Sequence, residues 1–254
     1  MRAVILAAGR GSRMQHETEN RPKCLVELGG KPLIEWQIMA LKDAGISDIS
    51  VVTGYRGEML AHYELVNFHN SRWYETNMVS SLLCARDWMV SESTIISYSD
   101  IFYGSEAVQS IMNTPNEIAI SYDPNWLELW KSRFQNPLDD AETFMVDDAG
   151  NLIEIGNRAL TTTQIQGQYM GLLKFTAMGW GVVDNFLSKL TQFEVDNLQM
   201  THLLQEILNS RLMPISAVPY EGVWGEIDSK LDLEIYRKNF ISKDSLLIRN
   251  FREE

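Results

Sequence analysis

A turn of small residues flanked by two cations raises the first chemical question in this chain. Leu6-Ala7-Ala8-Gly9-Arg10-Gly11-Ser12-Arg13-Met14 is followed by Arg21-Pro22-Lys23-Cys24-Leu25. Ala8, Gly9 and Gly11 let backbone approach a ligand closely, and successive N–H groups in such a loop form a concavity for anions. Arg13 and Lys23 add the full positive charge that phosphates take. Asp100 closes the apolar run from Thr94 to Ser99, and open α/β sheets bind ligands at such carboxyl strand ends. These residue types point to a phosphorylated ligand. Neither a Walker A sequence nor the complete dinucleotide fingerprint is present, which argues against a nicotinamide oxidoreductase. His16, His62, His69 and His202 are scattered without metal-ligand spacing, and no Ser-His-Asp or Cys-His set can be assembled.

The elements that must position these groups are readable from hydrophobic patterning. Ala3 to Leu6 is a short continuous apolar run that turns into glycine, the pattern of a parallel strand buried on both faces. Pro32 to Ala44 has helical spacing through Leu33, Ile34, Ile38 and Leu41, with Gly45 as its stop. Ile49 to Thr53, Thr94 to Ser99 and Glu117 to Tyr122 read as further strands. Ser80 to Met89 and Ser105 to Met112 read as the helices between them. This alternation predicts an α/β fold, a Rossmann-like and mainly parallel sheet flanked by helices. After residue 123 the rhythm breaks. Asp123 to Thr143 reads as irregular, Phe144 to Val146 and Leu152 to Ile155 as a hairpin, and Tyr169 to Phe175 as a strand. Trp180 to Leu190, Thr201 to Leu208 and Leu231 to Phe240 read as helices, Ile215 to Pro219 as a strand, and Phe251 onward as a polar tail. One domain over 1–254 is expected, with an inserted lid over about 123–170 that receives an acceptor.

Composition narrows the classes further. Apolar residues make up 45% of 254, enough for a core without disulfide or metal staples. The net charge of −12 argues against a general nucleic-acid binder but not against a small anion, which needs only a local cluster of cations. Cys24 and Cys84 have no metal-like spacing and read as free thiols in a reducing compartment. No apolar run is long enough to span a bilayer. The apolar start is too short for a secretory leader, so a cytoplasmic protein with no membrane partner is expected. A homo-oligomer is compatible with the sequence.

The combination of motifs resembles the nucleotidyltransferases that join NTPs to sugar phosphates and related phospho-acceptors. The matching residues are the loop at 6–13, Pro22-Lys23, and Gly30-Lys31-Pro32-Leu33-Ile34. Arg21 stands where Thr or Ser is usual in that family. Ser99-Asp100 and Trp224-Gly225-Glu226-Ile227-Asp228 match the segments that carry its metal-binding aspartates. Tyr74 to Leu83 looks like the phosphocholine cytidylyltransferase branch. Leu129 to Phe134, Asn136-Pro137-Leu138, Asp140 to Thr143 and Gln168 to Leu172 resemble the phosphoglutamine cytidylyltransferases, which serve capsule or surface-glycan modification.

The resemblance implies a transfer of CMP from CTP to a small phospho-acceptor, L-glutamine phosphate foremost, with loss of pyrophosphate. The alternatives are phosphocholine, a phosphonate, or a sugar 1-phosphate with another nucleotide; a non-catalytic nucleotide-binding module fits less well. A phosphomonoester is mostly ionised at neutral pH, its second pKa being near ~6, so no general base is needed. The work is alignment and charge neutralisation. Lys23 and Arg13 are the expected catalytic cations. Leu6, Ala8, Gly9, Gly11, Ser12, Arg13, Asn77, Ser80, Ser81 and Asp100 are expected at the nucleotide, with backbone from Thr53-Gly54-Tyr55 beside the base. Mg²⁺ is the implied cofactor, on Asp100 and Asp228 with Glu226 a weaker third ligand. Trp130, Lys131, Arg133, Glu142, Gln168 and Tyr169 are expected at the acceptor, Arg133 or Lys131 facing an acid group and Glu142 an ammonium.

Overall fold

The computed structural model describes residues 1–241; the tail at Phe251 lies outside them. The opening apolar run is β1 (Arg2–Ala7), which empties into the small-residue loop. Beyond a two-stranded ribbon, β2 (Glu27–Leu28) and β3 (Lys31–Pro32), comes α1 (Leu33–Asp43). Pro32 caps α1 rather than occupying its first turn, and Gly45 leaves it at φ 91°. Next are β4 (Asp48–Thr53), β5 (Val66–His69), α2 (Met78–Leu83), β6 (Thr94–Tyr98), β7 (Ile101–Tyr103), α3 (Ser105–Met112) and β8 (Ile118–Asp123). α2 begins two residues before the expected start, because the Asn77 side chain accepts from the Met78 N–H, and it closes at Leu83.

The stretch from 123 to 143, expected to be irregular, contains α4 (Trp126–Arg133). Trp126 and Trp130 lie on one face of α4, and both are buried. The expected hairpin forms as β9 (Glu142–Val146) and β10 (Leu152–Arg158), ahead of β11 (Gln168–Phe175). α5 (Ala177–Leu187), α6 (Gln192–Asn197), α7 (Met200–Asn209), β12 (Ile215–Pro219), β13 (Trp224–Glu226) and α8 (Lys230–Ile241) follow. The sequence reading passes over α6, whose short run begins at a capping box between Thr191 and Glu194.

Seven strands form the main sheet in the order β12-β8-β11-β6-β1-β4-β5. β1 pairs parallel with β4 and β6, β4 with β5, and β8 with β12; β11 runs antiparallel between β6 and β8. Alternation along β1 divides the core. Ala3, Ile5 and Ala7 pack toward α1 and α3, while Val4 and Leu6 pack toward α2, α5 and α7. A third cluster sets Met14, Val26, Leu28, Leu33 and Trp36 against Phe102, Ile227 and Leu233, joining the signature segment to α8. The chain leaves β1 to one side for β4 and returns on the other for β6. The crevice beyond the carboxyl ends of β1 and β6 is therefore a topological switch point, where such sheets take ligands. Among the described residues no helix is long and apolar enough to cross a membrane.

Candidate active site

The small-residue loop sits at that switch point. Its Ala8 carbonyl accepts from the Tyr55 N–H at 3.0 Å, which joins it to the turn after β4. Gly54 must be glycine there, since a Cβ would stand 2.5 Å from the Ala8 oxygen. Gly11 has φ 69°, and a Cβ on it would lie within 2.8–2.9 Å of the Lys23 stem. The loop's small residues therefore shape two contacts inside the protein as well as a surface for a ligand. Gly9 and Ser12 remain exposed, while Leu6 is in the core. Arg21, the departure from the usual Thr or Ser, donates to the Glu17 carbonyl and carboxylate.

Lys23 is the centre of the site. It is 7% exposed, and its Nζ donates at 2.7 Å to Asp100 Oδ2 and at 2.7 Å to Asp228 Oδ1. Burial alone would lower its pKa, but Asp100, Asp228 and Glu226 outweigh burial and raise it well above the usual lysine range. Arg13 reaches the other oxygen of Asp228 while its side chain stays 70% exposed, free to turn toward a ligand. The two aspartates come from segments far apart in sequence. Antiparallel pairing of β7 with β13 brings them together, and the Ile227 N–H donates to the Asp100 carbonyl at 2.9 Å.

Asp100 and Asp228 were the expected metal ligands. Asp100 Oδ1 is buried and has no hydrogen-bond partner among the described residues, so one hard oxygen is left open beside a second carboxylate. Among the described residues no three His, Cys, Asp or Glu side chains converge as a complete cage. Two carboxylates with no third ligand fit Mg²⁺, which is held by one or two carboxylates and otherwise by phosphate oxygens and water. Glu226, the weaker candidate, is turned to another partner: its Oε2 accepts from both terminal nitrogens of Arg133 at 3.2 Å. Burial, then the charges of Asp100 and Asp228, push Glu226 up to about 7.

A cavity of about 320 Å³ opens above this cluster. Arg13, Glu226 and Asp228 line it together with three aromatic residues, Trp130, Tyr98 and Tyr169. Glu142 and Gln168, two of the residues expected at the acceptor, line this cavity, as do Asp140, Thr143 and Phe144. Gln168 spends one donor on the Glu142 carbonyl at 2.8 Å. Burial raises the Glu142 carboxyl, partly offset by His202 and a hydrogen bond from Thr201. Arg13 stands against Asp140, Glu142, Glu226 and Asp228, so the lining is acidic and favours a cationic group on the occupant.

Four of the expected ligands stand elsewhere. Lys131 points into solvent and does not line the cavity. Arg133 has a side chain only 1% exposed, bound to Asp232 Oδ1 at 2.7 Å and to Glu226; a guanidinium so enclosed faces protein rather than acceptor. Ser80 donates to the Val195 carbonyl and Asp196, and Ser81 accepts from Asn70, so both brace α2. Asn77 alone of that group reaches the cavity wall, although its carbonyl oxygen also caps α2. Gln199 and Thr201, ahead of and within the first turn of α7, line the cavity unforeseen. No periodicity distinguishes them from an ordinary helix start.

Comparison with known proteins accords with this geometry. The MobA-like NTP transferase domain matches residues 3–141. The chain belongs to that family. This nucleotidyltransferase is 39% identical over 251 residues to the CTP:phosphoglutamine cytidylyltransferase of Campylobacter jejuni subsp. jejuni serotype O:2, covering 92% of this chain and 98% of that one. It is 31% identical over 170 residues to the 2-aminoethylphosphonate cytidylyltransferase of Lancefieldella rimae, covering 65% of this chain and 64% of that one. The inositol-1-phosphate CTP transferase structure from T. maritima superposes with a TM-score of 0.75 at 20% identity, over 92% of this chain and 93% of that chain. The α/β nucleotidyltransferase fold is thus shared, and the transferase keeps Arg13, Lys23, Asp100 and Asp228 in one cluster.

Proposed function

We propose that this transferase moves CMP from CTP to a small phosphorylated acceptor that carries an ammonium group, with L-glutamine phosphate the first candidate. The observation that carries the reading is the bridge of Lys23 between Asp100 and Asp228, the last of which also lines an acidic cavity. The acceptor phosphate attacks the α-phosphorus of CTP, the bond to the β-phosphate breaks, and pyrophosphate leaves. Two anions must meet, so the residues act by supplying charge and alignment. Asp100 and Asp228 would hold Mg²⁺, which when bound polarises the phosphate oxygens. Lys23 and Arg13 then face the α-phosphate and the departing pyrophosphate, and the loop from Ala8 to Ser12 offers its N–H groups to the triphosphate.

The lining supports an acceptor of this kind. Glu142 lines the same cavity from β9, an element separate from those that carry Arg13, Glu226 and Asp228, and takes the ammonium. Asn77, Gln199 and Thr201 offer uncharged polar groups for the rest of the acceptor. The cytidylyltransferase relative at 39% identity favours CTP and phosphoglutamine. The presence of Trp130, Tyr98 and Tyr169 in the lining favours a second reading, phosphocholine, because aromatic faces attract quaternary ammonium. Pyrophosphate release from CTP, UTP and dTTP, each with phosphoglutamine, phosphocholine, 2-aminoethylphosphonate and glucose 1-phosphate, tests both. Turnover should require CTP and an amine-bearing acceptor. Preference for UTP with a sugar phosphate would overturn the reading.

A further inference from the structure

The acceptor wall and the metal carboxylates lie on different elements, yet one buried pair connects them. Asp232, in the first turn of α8, is 3% exposed. Its Oδ2 accepts from the backbone N–H of Asp228 at 3.1 Å, from that of Ser229 at 2.7 Å, and from the Ser229 hydroxyl at 2.8 Å. Those three bonds fix the chain at Asp228, whose carboxylate meets Lys23. Its remaining oxygen, Oδ1, accepts from Arg133 Nε at 2.7 Å. Arg133 ends α4, the helix that brings Trp130 to the cavity, and its guanidinium lies 5.0 Å from the Trp130 ring centre. The same guanidinium holds Glu226, two residues before Asp228.

We propose that Arg133 and Asp232 are a positioning pair, Asp232 setting the backbone that aims Asp228 and Arg133 locking that backbone to the helix of the acceptor wall. The proposal rests on the transferase reading above for what Asp228 does, but not for the geometry. Arg suits this place because its planar fork presents Nε to one carboxylate and its terminal nitrogens to a second, which a lysine cannot do. The pair touches neither the cavity space nor a reacting atom. Its effect passes through Asp228, in the way that outer partners orient metal ligands.

The test uses the full chain with Arg133→Met, which keeps volume and removes the fork, and with Asp232→Asn and Arg133→Lys as milder variants. All measurements are made far below each variant's Tm. Mn²⁺ binding in the presence of CTP is followed by electron paramagnetic resonance, and amide hydrogen exchange is followed at Asp228 and Ser229. Loss of an outer partner should weaken Mn²⁺ binding or lower kcat by about 10–100-fold in Arg133→Met, with faster exchange at both amides and little change in acceptor KM. Arg133→Lys should fall between Arg133→Met and the unaltered enzyme. A lowered Tm with unchanged Mn²⁺ affinity and unchanged exchange would show a merely structural pair and overturn the proposal. A raised acceptor KM with unchanged Mn²⁺ affinity would make Arg133 an acceptor ligand and also overturn it. If the unaltered enzyme transferred no CMP, the transferase reading would fall while exchange at Asp228 and Ser229 still decided the pair. Should Arg133→Met fail to fold, Asp232→Asn carries the same readouts.

Discussion

Lys23→Ala should separate the two duties of one nitrogen. Lys23 Nζ contacts Asp100 and Asp228 at 2.7 Å each, so its removal leaves two carboxylates facing across the vacated space. Two unit charges roughly 5 Å apart repel by about 3 kcal/mol at an effective dielectric of 20. For a chain of this size that cost lowers Tm by on the order of 10 °C. The chemical step loses a positioned cation as well, and removing one such donor costs ~10²–10³ in kcat. The two losses differ in their response to Mg²⁺. A divalent ion between the aspartates replaces the missing charge, so Tm of the variant should recover in millimolar Mg²⁺ more than that of the unaltered enzyme. Turnover should not recover, because the phosphates still lack their lysine. The assay is pyrophosphate release at saturating CTP and acceptor, beside thermal unfolding in chelator and in Mg²⁺. Near-normal turnover, or a Tm in chelator equal to that of the unaltered enzyme, would refute the reasoning.

Three further outcomes follow from the same geometry. Gly11→Ala should lower kcat about as Lys23 substitutions do while leaving most of the fold intact, because the new Cβ would stand 2.8 Å from the Lys23 stem at φ 69°; left-handed backbone costs roughly 1–2 kcal/mol in a non-glycine residue, a loss that denaturant unfolding would read. Glu142→Gln should raise KM roughly 10-fold or more for amine-bearing acceptors and leave KM for CTP alone, since a hydrogen bond to a charged group is worth about 1.5–3 kcal/mol; equal KM values for the two proteins would remove Glu142 from the acceptor site. Burial would raise the Asp232 carboxyl, but hydrogen bonds from Arg133 and Ser229 outweigh it and hold the group below the usual aspartate range. Its contribution to stability is therefore complete above the unfolded pKa of about 4 and is lost as pH falls through the folded value, so Asp232→Asn should flatten the acid limb of a pH–stability curve. A limb of unchanged slope would count against the pair.

How much of this could be read from residues alone depended on whether the information was local. β1 carries a continuous apolar run from Ala3 to Ala7, and β4 and β6 are short runs rich in Ile or Val with only small polar residues between them, patterns with few alternatives to a doubly buried strand. Lys23, Arg13 and Asp100 were legible because a small-residue loop and a strand end are local signals. The acceptor side was not. Arg133 and Lys131 belong to one helix turn, and their composition alone invites an anion site. Whether a guanidinium faces a cavity or a carboxylate depends on Asp232, 99 positions away. Ser80 and Ser81 failed for the same reason, since their partners Asp196 and Asn70 come from other elements. Gln199 and Thr201 become visible only when α7 packs beside the β9–β10 hairpin. The stretch from 123 to 143 looked irregular because its prolines and acids mask an eight-residue helix whose buried face is mainly two tryptophans.

The site is built from clamps on backbone as much as from reacting side chains. Gln37 shows this on the side opposite Asp232. It is fully buried in α1, and its amide donates to the carbonyls of Tyr98 and Ile101 at 2.9 and 2.5 Å. Those carbonyls bracket the turn that presents Asp100. A buried glutamine in a helix core is costly unless its polar atoms are used; Nε2 is used twice as a staple on that turn, while Oε1 is buried with no hydrogen-bond partner among the described residues. Asp232 does the equivalent for the turn at Asp228. Between them, the β7–β13 ladder fixes the separation of the two turns, and Gly11 admits the Lys23 stem that bridges their carboxylates. Each aspartate is thus held by a helix that contributes no residue to the cavity lining. Charge placed this way needs little reorganisation when two phosphates arrive, which is the condition under which fixed charges lower a barrier most.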